Sequence, residues 1–192
     1  MSPRSEEQFE EIRVEKRQLI LDTALELFAN YGYHTTSVSQ IAKKAKISKG
    51  LMYNYFDSKE HVLKEIIEIG FNETYQILDP NKDGILEVDE MEFFIDKTFE
   101  LLKKNVEFWR CYFKISFQSD VFPFLEEKMK EIMEPTMKMM LDYFTKQGYE
   151  DPMTEAMLFG SLMDGVAMDY VFTPDLIPID KMKDAIIKRY CK

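Results

Sequence analysis

The stretch Leu25-Glu26-Leu27-Phe28-Ala29-Asn30-Tyr31-Gly32-Tyr33-His34-Thr35-Thr36-Ser37-Val38-Ser39-Gln40-Ile41-Ala42, followed after four residues by Ile47-Ser48-Lys49-Gly50-Leu51-Met52-Tyr53-Asn54-Tyr55-Phe56-Asp57-Ser58-Lys59-Glu60, decides how the chain folds. Leu19, Ile20, Thr23, Ala24, Leu27, Phe28 and Tyr31 recur on one face of a helix, and Gly32 ends it. Ser37 with Gln40 three residues later is a capping box, which opens a short helix with Val38, Ile41, Ala42 and Ala45 inward. After a turn at Lys46-Ile47, Ser48 can cap a third short helix running to about Tyr55. Asp57-Ser58-Lys59-Glu60 starts a fourth, with Val62, Leu63, Ile66, Ile67, Phe71, Thr74, Tyr75 and Leu78 on its buried side. Two short helices joined by a tight turn, with lysines at the turn and on the second helix, suit a helix-turn-helix whose second helix enters the major groove of DNA.

Outward from this stretch the pattern stays helical. Amphipathic or wholly apolar segments cover about 89–104, 106–118, 122–147, 152–172 and 180–191, and no alternating strand pattern of useful length occurs. Pro135 should end or kink its helix, whereas Pro152 suits a first helical position capped by Asp151. The fold class is therefore all-α: a helix-turn-helix domain at 1–67, then a helical ligand-binding and dimerisation domain at 68–192.

Composition agrees. Of 192 residues 45% are apolar, and the 7 Gly and 7 Pro are scattered, which disfavours low-complexity tails and long linkers. Cys111 and Cys191 are too few and too far apart for a disulfide framework or a thiolate zinc cluster. The glutamate-rich start and the lack of ~18 consecutive apolar residues predict a cytoplasmic protein with no export signal and no membrane partner. The net charge of -10 is unevenly spread: residues 1–67 are balanced and the deficit lies in 68–192. His34 to Lys64 holds Lys43, Lys44, Lys46, Lys49, Lys59 and Lys64 against Asp57 and Glu60 only, a basic patch on an acidic body.

The quoted residues, in their spacing and aromatic positions, resemble the DNA-binding domain of the TetR-family transcriptional regulators over about residues 16–66. The resemblance implies a double-stranded DNA operator, palindromic if the protein is a homodimer, and a small-molecule effector that releases a repressor from it. Free energy would pass through the fourth helix, shared by both parts. Within this reading Gly50 allows close approach to the groove, and Tyr53 meets a phosphate. Thr36 and Ser37 offer donors to another phosphate, and Lys59 to a third. Lys49, Leu51 and Asn54 would read bases, after the Ser48 cap that starts their helix. One departure is Lys46, where the family usually has glycine; a left-handed lysine there would cost on the order of 1 kcal/mol.

A second pattern lies outside the resemblance. Asp79-Pro80-Asn81-Lys82-Asp83-Gly84-Ile85-Leu86-Glu87-Val88-Asp89-Glu90 fits the twelve-residue EF-hand loop. Asp79, Asn81 and Asp83 fall at positions 1, 3 and 5, glycine at 6, the Ile85 carbonyl at 7, Glu87 at 9 and Glu90 at 12. The plain alternative is an acidic turn in which Asp83-Gly84 reverses the chain and Asp89 or Glu90 caps the next helix. No cofactor is required for the fold; calcium is the ion this loop would take. The rival function is accordingly a calcium-binding helical interaction protein without sequence-specific DNA binding.

From Met91 onward methionines interleave with aromatics, the composition of an adaptable apolar pocket, and Trp109, Tyr112, Met133, Met137 and Met163 are the candidate lining. Enzyme chemistry finds no support: His34 and His61 have no nucleophile in their sequence context, and Asp164 and Asp169 are five apart on one helix. The segment 156–168 is apolar around most of its circumference, and Gly160, Gly165 and Ala167 would admit a second helix. A homodimer is expected through 153–172 with 180–191, at Met157, Gly160, Asp164, Ala167 and Ile186.

Overall fold

The computed structural model describes residues 6–192, and among them it contains helices and no strand. The order is α1 (Glu6–Tyr31), α2 (Val38–Lys44), α3 (Lys49–Tyr53), α4 (Lys59–Tyr75), α5 (Val88–Lys104), α6 (Val106–Ser116), α7 (Phe122–Lys146), α8 (Pro152–Phe172) and α9 (Ile179–Tyr190). Side chains start these helices where the spacing predicts. Ser37 Oγ accepts from Gln40 N at 3.3 Å, and Gln40 Oε1 accepts from Ser37 N at 2.7 Å, the reciprocal pair of a capping box. Ser48 caps α3 through Leu51 N at 3.0 Å, and Ser58 caps α4 through His61 N at 3.0 Å.

The α2–α3 turn answers the question posed by Lys46. Ile47 N donates to Ala42 O at 3.0 Å and Lys46 N to Lys43 O at 3.2 Å, the two bonds of a Schellman motif. Lys46 itself has φ of 55°, so the turn keeps its left-handed residue and a lysine carries the strain, about 1 kcal/mol.

Two apolar cores organise the chain. The first gathers Ile20, Ala24 and Phe28 of α1, Ile41 of α2, Met52 of α3 and Leu63 of α4, then extends to Tyr112 and Ile115 of α6, Leu125 of α7 and Val171 of α8. The second joins α5, α7, α8 and α9 around Met91, Phe99, Phe144, Phe159 and Tyr190. The first core crosses residue 67, and α4 runs through that boundary without a break. The helix-turn-helix is thus packed directly onto α6.

Pro135 does not end its helix. Helix α7 continues from Phe122 to Lys146 with Pro135 inside it. The proline is exposed, as is Glu131, whose carbonyl loses its N–H partner and faces water, so the break costs less than it would in a core. Buried Leu125 on one side, and Met139, Met140, Tyr143 and Phe144 on the other, anchor both halves of the helix in the two cores.

Candidate nucleic-acid interface and ligand cavity

Helix α3 turns Met52 inward, 1% exposed, and leaves Lys49, Gly50, Tyr53 and Asn54 on its outer side, with Leu51 half-buried between them. The Lys49 ammonium lies 5.9 Å from the centre of the Tyr53 ring, so charge and aromatic face form one outward patch. Lys43 and Lys46 are exposed beside it, while Lys44 is tied to Glu26 of α1. At Gly50 an added Cβ would meet only Ser48 Oγ, at 3.9 Å. Nothing inside the chain requires glycine there.

Two expected phosphate ligands point elsewhere. The Thr36 side chain is buried, and its hydroxyl donates to Gly32 O at 2.8 Å, satisfying the carbonyl end of α1 rather than reaching outward. Its N–H is engaged as well, with Gly32 O and Tyr33 O. The Lys59 ammonium donates to Tyr33 O at 2.7 Å, Thr36 O at 2.8 Å and His34 O at 3.2 Å, so its three N–H bonds are committed. It also lies 4.3 Å from the centre of the Tyr33 ring, and burial in this carbonyl cage lowers its pKa. Lys59 is therefore a clasp between the start of α4 and the α1–α2 turn, which corrects its assignment to DNA. Ser37 remains exposed at the N-terminus of α2, with its hydroxyl shared with Gln40.

Below the helix-turn-helix, α4, α5, α6, α7 and α8 line a partly open cavity of about 730 Å³. That volume falls in the range of small-molecule sites. Trp109, Tyr112 and Met163 line it as expected; Met133 and Met137 do not. Met137 packs on the second core. Leu125 and Met129, four residues apart, share the cavity side of α7, and Met133, one turn further along the same row, stands past the cavity and is exposed. Phe71, Phe94, Phe113 and Phe117 line it as well, beyond the five candidates. Asp164 is the one charged side chain in the lining, and surrounding protein raises its pKa by desolvation. Thr98 adds a buried hydroxyl that has no partner.

The cavity touches the DNA-binding half at two places. Tyr112, from the cavity wall, donates to Ile67 O of α4 at 3.3 Å and lies against Gly70, where a Cβ would come within 2.3 Å of the ring. Burial raises the Tyr112 pKa, so the phenol keeps its proton at neutral pH. Gln118, just beyond α6, donates to Phe28 O at 2.8 Å and accepts from Tyr33 N at 2.8 Å, gripping the end of α1. The cavity wall is thus in direct contact with α4, and the end of α6 with the end of α1.

On α8 the residues Met153, Met157 and Gly160 form one outward stripe, at helical spacings of 4 and 3, and Asp164, a turn further on, stands where that exposed face meets the cavity. Met157 is 60% exposed and neighbouring Leu158 51%. Nothing lies within 4 Å of a Cβ built at Gly160 or Gly165. Two of the expected dimer residues are turned inward instead. Ala167 belongs to the first core and the cavity wall, and Ile186 is buried in the second core because α9 lays Ile179, Ile186 and Tyr190 inward.

In the 79–90 loop Gly84 has φ of 74°, and Glu90 Oε2 accepts from Glu87 N at 3.0 Å, as the plain capping alternative expects. Among the described residues no three His, Cys, Asp or Glu side chains stand ready as a metal cage.

Comparison with known proteins matches residues 20–66 to the family model described as bacterial regulatory proteins, tetR family. Over 165 residues, 82% of this chain and 54% of the relative, it is 31% identical to the HTH-type transcriptional regulator YuxN of Bacillus subtilis. The chain thus spans about half the length of that relative. It is 26% identical over 160 residues to the fatty acid metabolism regulator protein of the same species, covering 79% of this chain and 81% of that one. Among solved structures, FadR from Bacillus subtilis in complex with stearoyl-CoA superposes with a TM-score of 0.68 at 21% identity, over 91% of this chain and 97% of that one. The fatty acid degradation regulator FadR from Bacillus halodurans gives 0.72 at 19% identity, over 92% and 94%. These two likenesses establish the fold. Among the described residues no helix is long and apolar enough to cross a membrane.

Proposed function

We propose that the chain is a ligand-released transcriptional repressor, on the ground that residues 20–66 match the model of the tetR family of bacterial regulatory proteins. It would act in the cytoplasm, without a catalytic step of its own. The observation that carries this reading is the outer face of α3: Lys49, Gly50, Tyr53 and Asn54 stand exposed, and the chain itself has no use for a glycine at position 50. Lysine and asparagine are the side chains that pair with guanine and adenine edges, and the bare backbone at Gly50 lets α3 sit deep in the groove.

The effector is an apolar or amphipathic small molecule with an acyl-like chain. Its support is the aromatic and methionine lining of the cavity, together with a relative named for fatty acid metabolism and a fold neighbour solved with stearoyl-CoA. Occupancy would shift Tyr112 against Gly70 and Ile67 O, moving α4 and with it the recognition helix. The repressor is a homodimer through the Met153, Met157 and Gly160 stripe of α8, because a two-fold site needs two copies of α3. Calcium-linked interaction without DNA recognition is the weaker function, since the matched domain is the DNA-binding one.

The test is competition on a fluorescent duplex carrying the sequence the protein selects from a random pool. Stearoyl-CoA or a free long-chain fatty acid at micromolar concentration should lower the anisotropy, and Gly70→Ala should blunt that response. Anisotropy unchanged by every acyl compound tried would overturn the effector assignment while leaving the DNA assignment standing.

A further inference from the structure

We propose that the loop from Asp79 to Glu90, between α4 and α5, binds a calcium ion. The loop has the architecture that such a site needs. It is flanked by helices on both sides, and Leu86, at position 8, is 3% exposed and packs in the second core with Leu78 and Met91. That anchor fixes the loop at its midpoint. Lys82 and Gly84 take left-handed φ of 60° and 74°, which curls the chain tightly between Asn81 and Ile85. Asp79 Oδ2 accepts from Gly84 N at 3.1 Å, Asn81 Oδ1 from Asp83 N at 3.0 Å, and Asp83 Oδ1 from Ile85 N at 2.8 Å.

Two further observations point to a cation. The Asn81 side-chain nitrogen donates to Asp83 Oδ2 at 3.1 Å and to Glu90 Oε1 at 2.8 Å, so the carboxylates of positions 5 and 12 already converge on one electropositive point. Independently, Asp79 Oδ1 at position 1 is fully shielded from solvent and meets no donor. A carboxylate oxygen removed from water without a partner is costly, and a divalent ion at the loop centre supplies the missing partner. Asp79, Asn81, Asp83, the Ile85 carbonyl and a bidentate Glu90 make six oxygen contacts, within the range calcium takes. Glu87, at position 9, is held by Lys146 through both oxygens, at 2.7 and 2.6 Å. Water commonly serves that position, so its diversion weakens the site without removing it. An all-oxygen loop that must close around its ion favours calcium over magnesium, which demands near-ideal octahedral geometry.

The experiment is isothermal titration of the full chain with calcium chloride and, separately, magnesium chloride, alongside thermal melts at rising calcium. It needs no operator and no effector, so its outcome is separate from the repressor reading. One calcium per chain is expected with a dissociation constant between micromolar and millimolar, at least tenfold tighter than magnesium, and a melting temperature that climbs with calcium. Glu90→Gln keeps an acceptor for Glu87 N but loses the bidentate charge. It should melt like the parent without calcium and bind calcium at least tenfold more weakly. Asp83→Asn keeps the turn to Ile85 N and should behave likewise. No heat at millimolar calcium, or parental affinity in both variants, would overturn the proposal.

Discussion

Replacing Gly50 by alanine separates what α3 does for its own fold from what it does for DNA. The added Cβ would have only Ser48 Oγ near it, at 3.9 Å, so it creates no clash within the chain. Alanine in place of a helical glycine stabilises by about 0.5–1 kcal/mol. Gly50 is the second residue of a five-residue helix, which places the gain near the lower figure. For a chain of 192 residues, about 0.5 kcal/mol is a rise of roughly 1–2 °C in Tm. On DNA the sign reverses. A methyl group inserted between a close-packed helix and the groove costs about 1–3 kcal/mol, as overpacking does in a core, or roughly five- to 150-fold in Kd. Calorimetry and fluorescence anisotropy on one preparation read both numbers. A higher Tm with weaker binding is the expected pair; unchanged binding would remove Gly50 from the interface, and a lower Tm would show that the fold itself needs the glycine.

The remaining perturbations each isolate one contact. Lys46→Gly should raise Tm by about 1–3 °C in a melt, because glycine relieves the left-handed strain of about 1 kcal/mol. Lys59→Met should lower stability by about 2 kcal/mol through the loss of charge-assisted bonds to three carbonyls, yet leave the salt dependence of DNA binding intact, whereas Lys49→Ala should reduce that slope by about one unit. Gly70→Ala should cost about 1–3 kcal/mol in a denaturant titration, since its Cβ would lie 2.3 Å from the Tyr112 ring. Desolvation raises the Asp164 pKa above its ordinary 3.8, so between the unfolded and folded values the native state holds the extra proton and stability falls as pH rises. Asp164→Asn should flatten that limb and raise Tm at pH 7 in calorimetric scans from pH 4 to 8.

The helix-turn-helix was legible in the sequence because its determinants are local. Ser37, Gln40, Ser48 and Ser58 act within three residues of themselves, and Gly32 ends its helix through its own φ of 92°. Lys59 and Thr36 were misread for the opposite reason: their partners are main-chain carbonyls of the α1–α2 turn, and carbonyls leave no mark in a residue pattern. Gln118 was invisible to pattern reading because its two bonds reach 85 and 90 residues back along the chain. In the cavity, aromatic and methionine content announced a pocket, but Met129 and Met133 share one row of α7, and how far along that helix the cavity extends decides that the first lines it and the second does not. Ile186 looked available for a partner because α9 is amphipathic, and α5 turned out to take its apolar face. Pro135 shows the limit of a helix-breaking rule on an exposed helix held at both ends by buried residues.

The claim on which the account rests is that α3 reads DNA, and selection from a random duplex library with the 192-residue chain tests it most directly. The account predicts enrichment of one inverted repeat whose half-sites are about one helical turn apart or a multiple of it, with the enrichment lost in Asn54→Ala at one position of each half-site. A pool that stays random after repeated rounds, or an enriched site indifferent to substitutions on the outer face of α3, would contradict it.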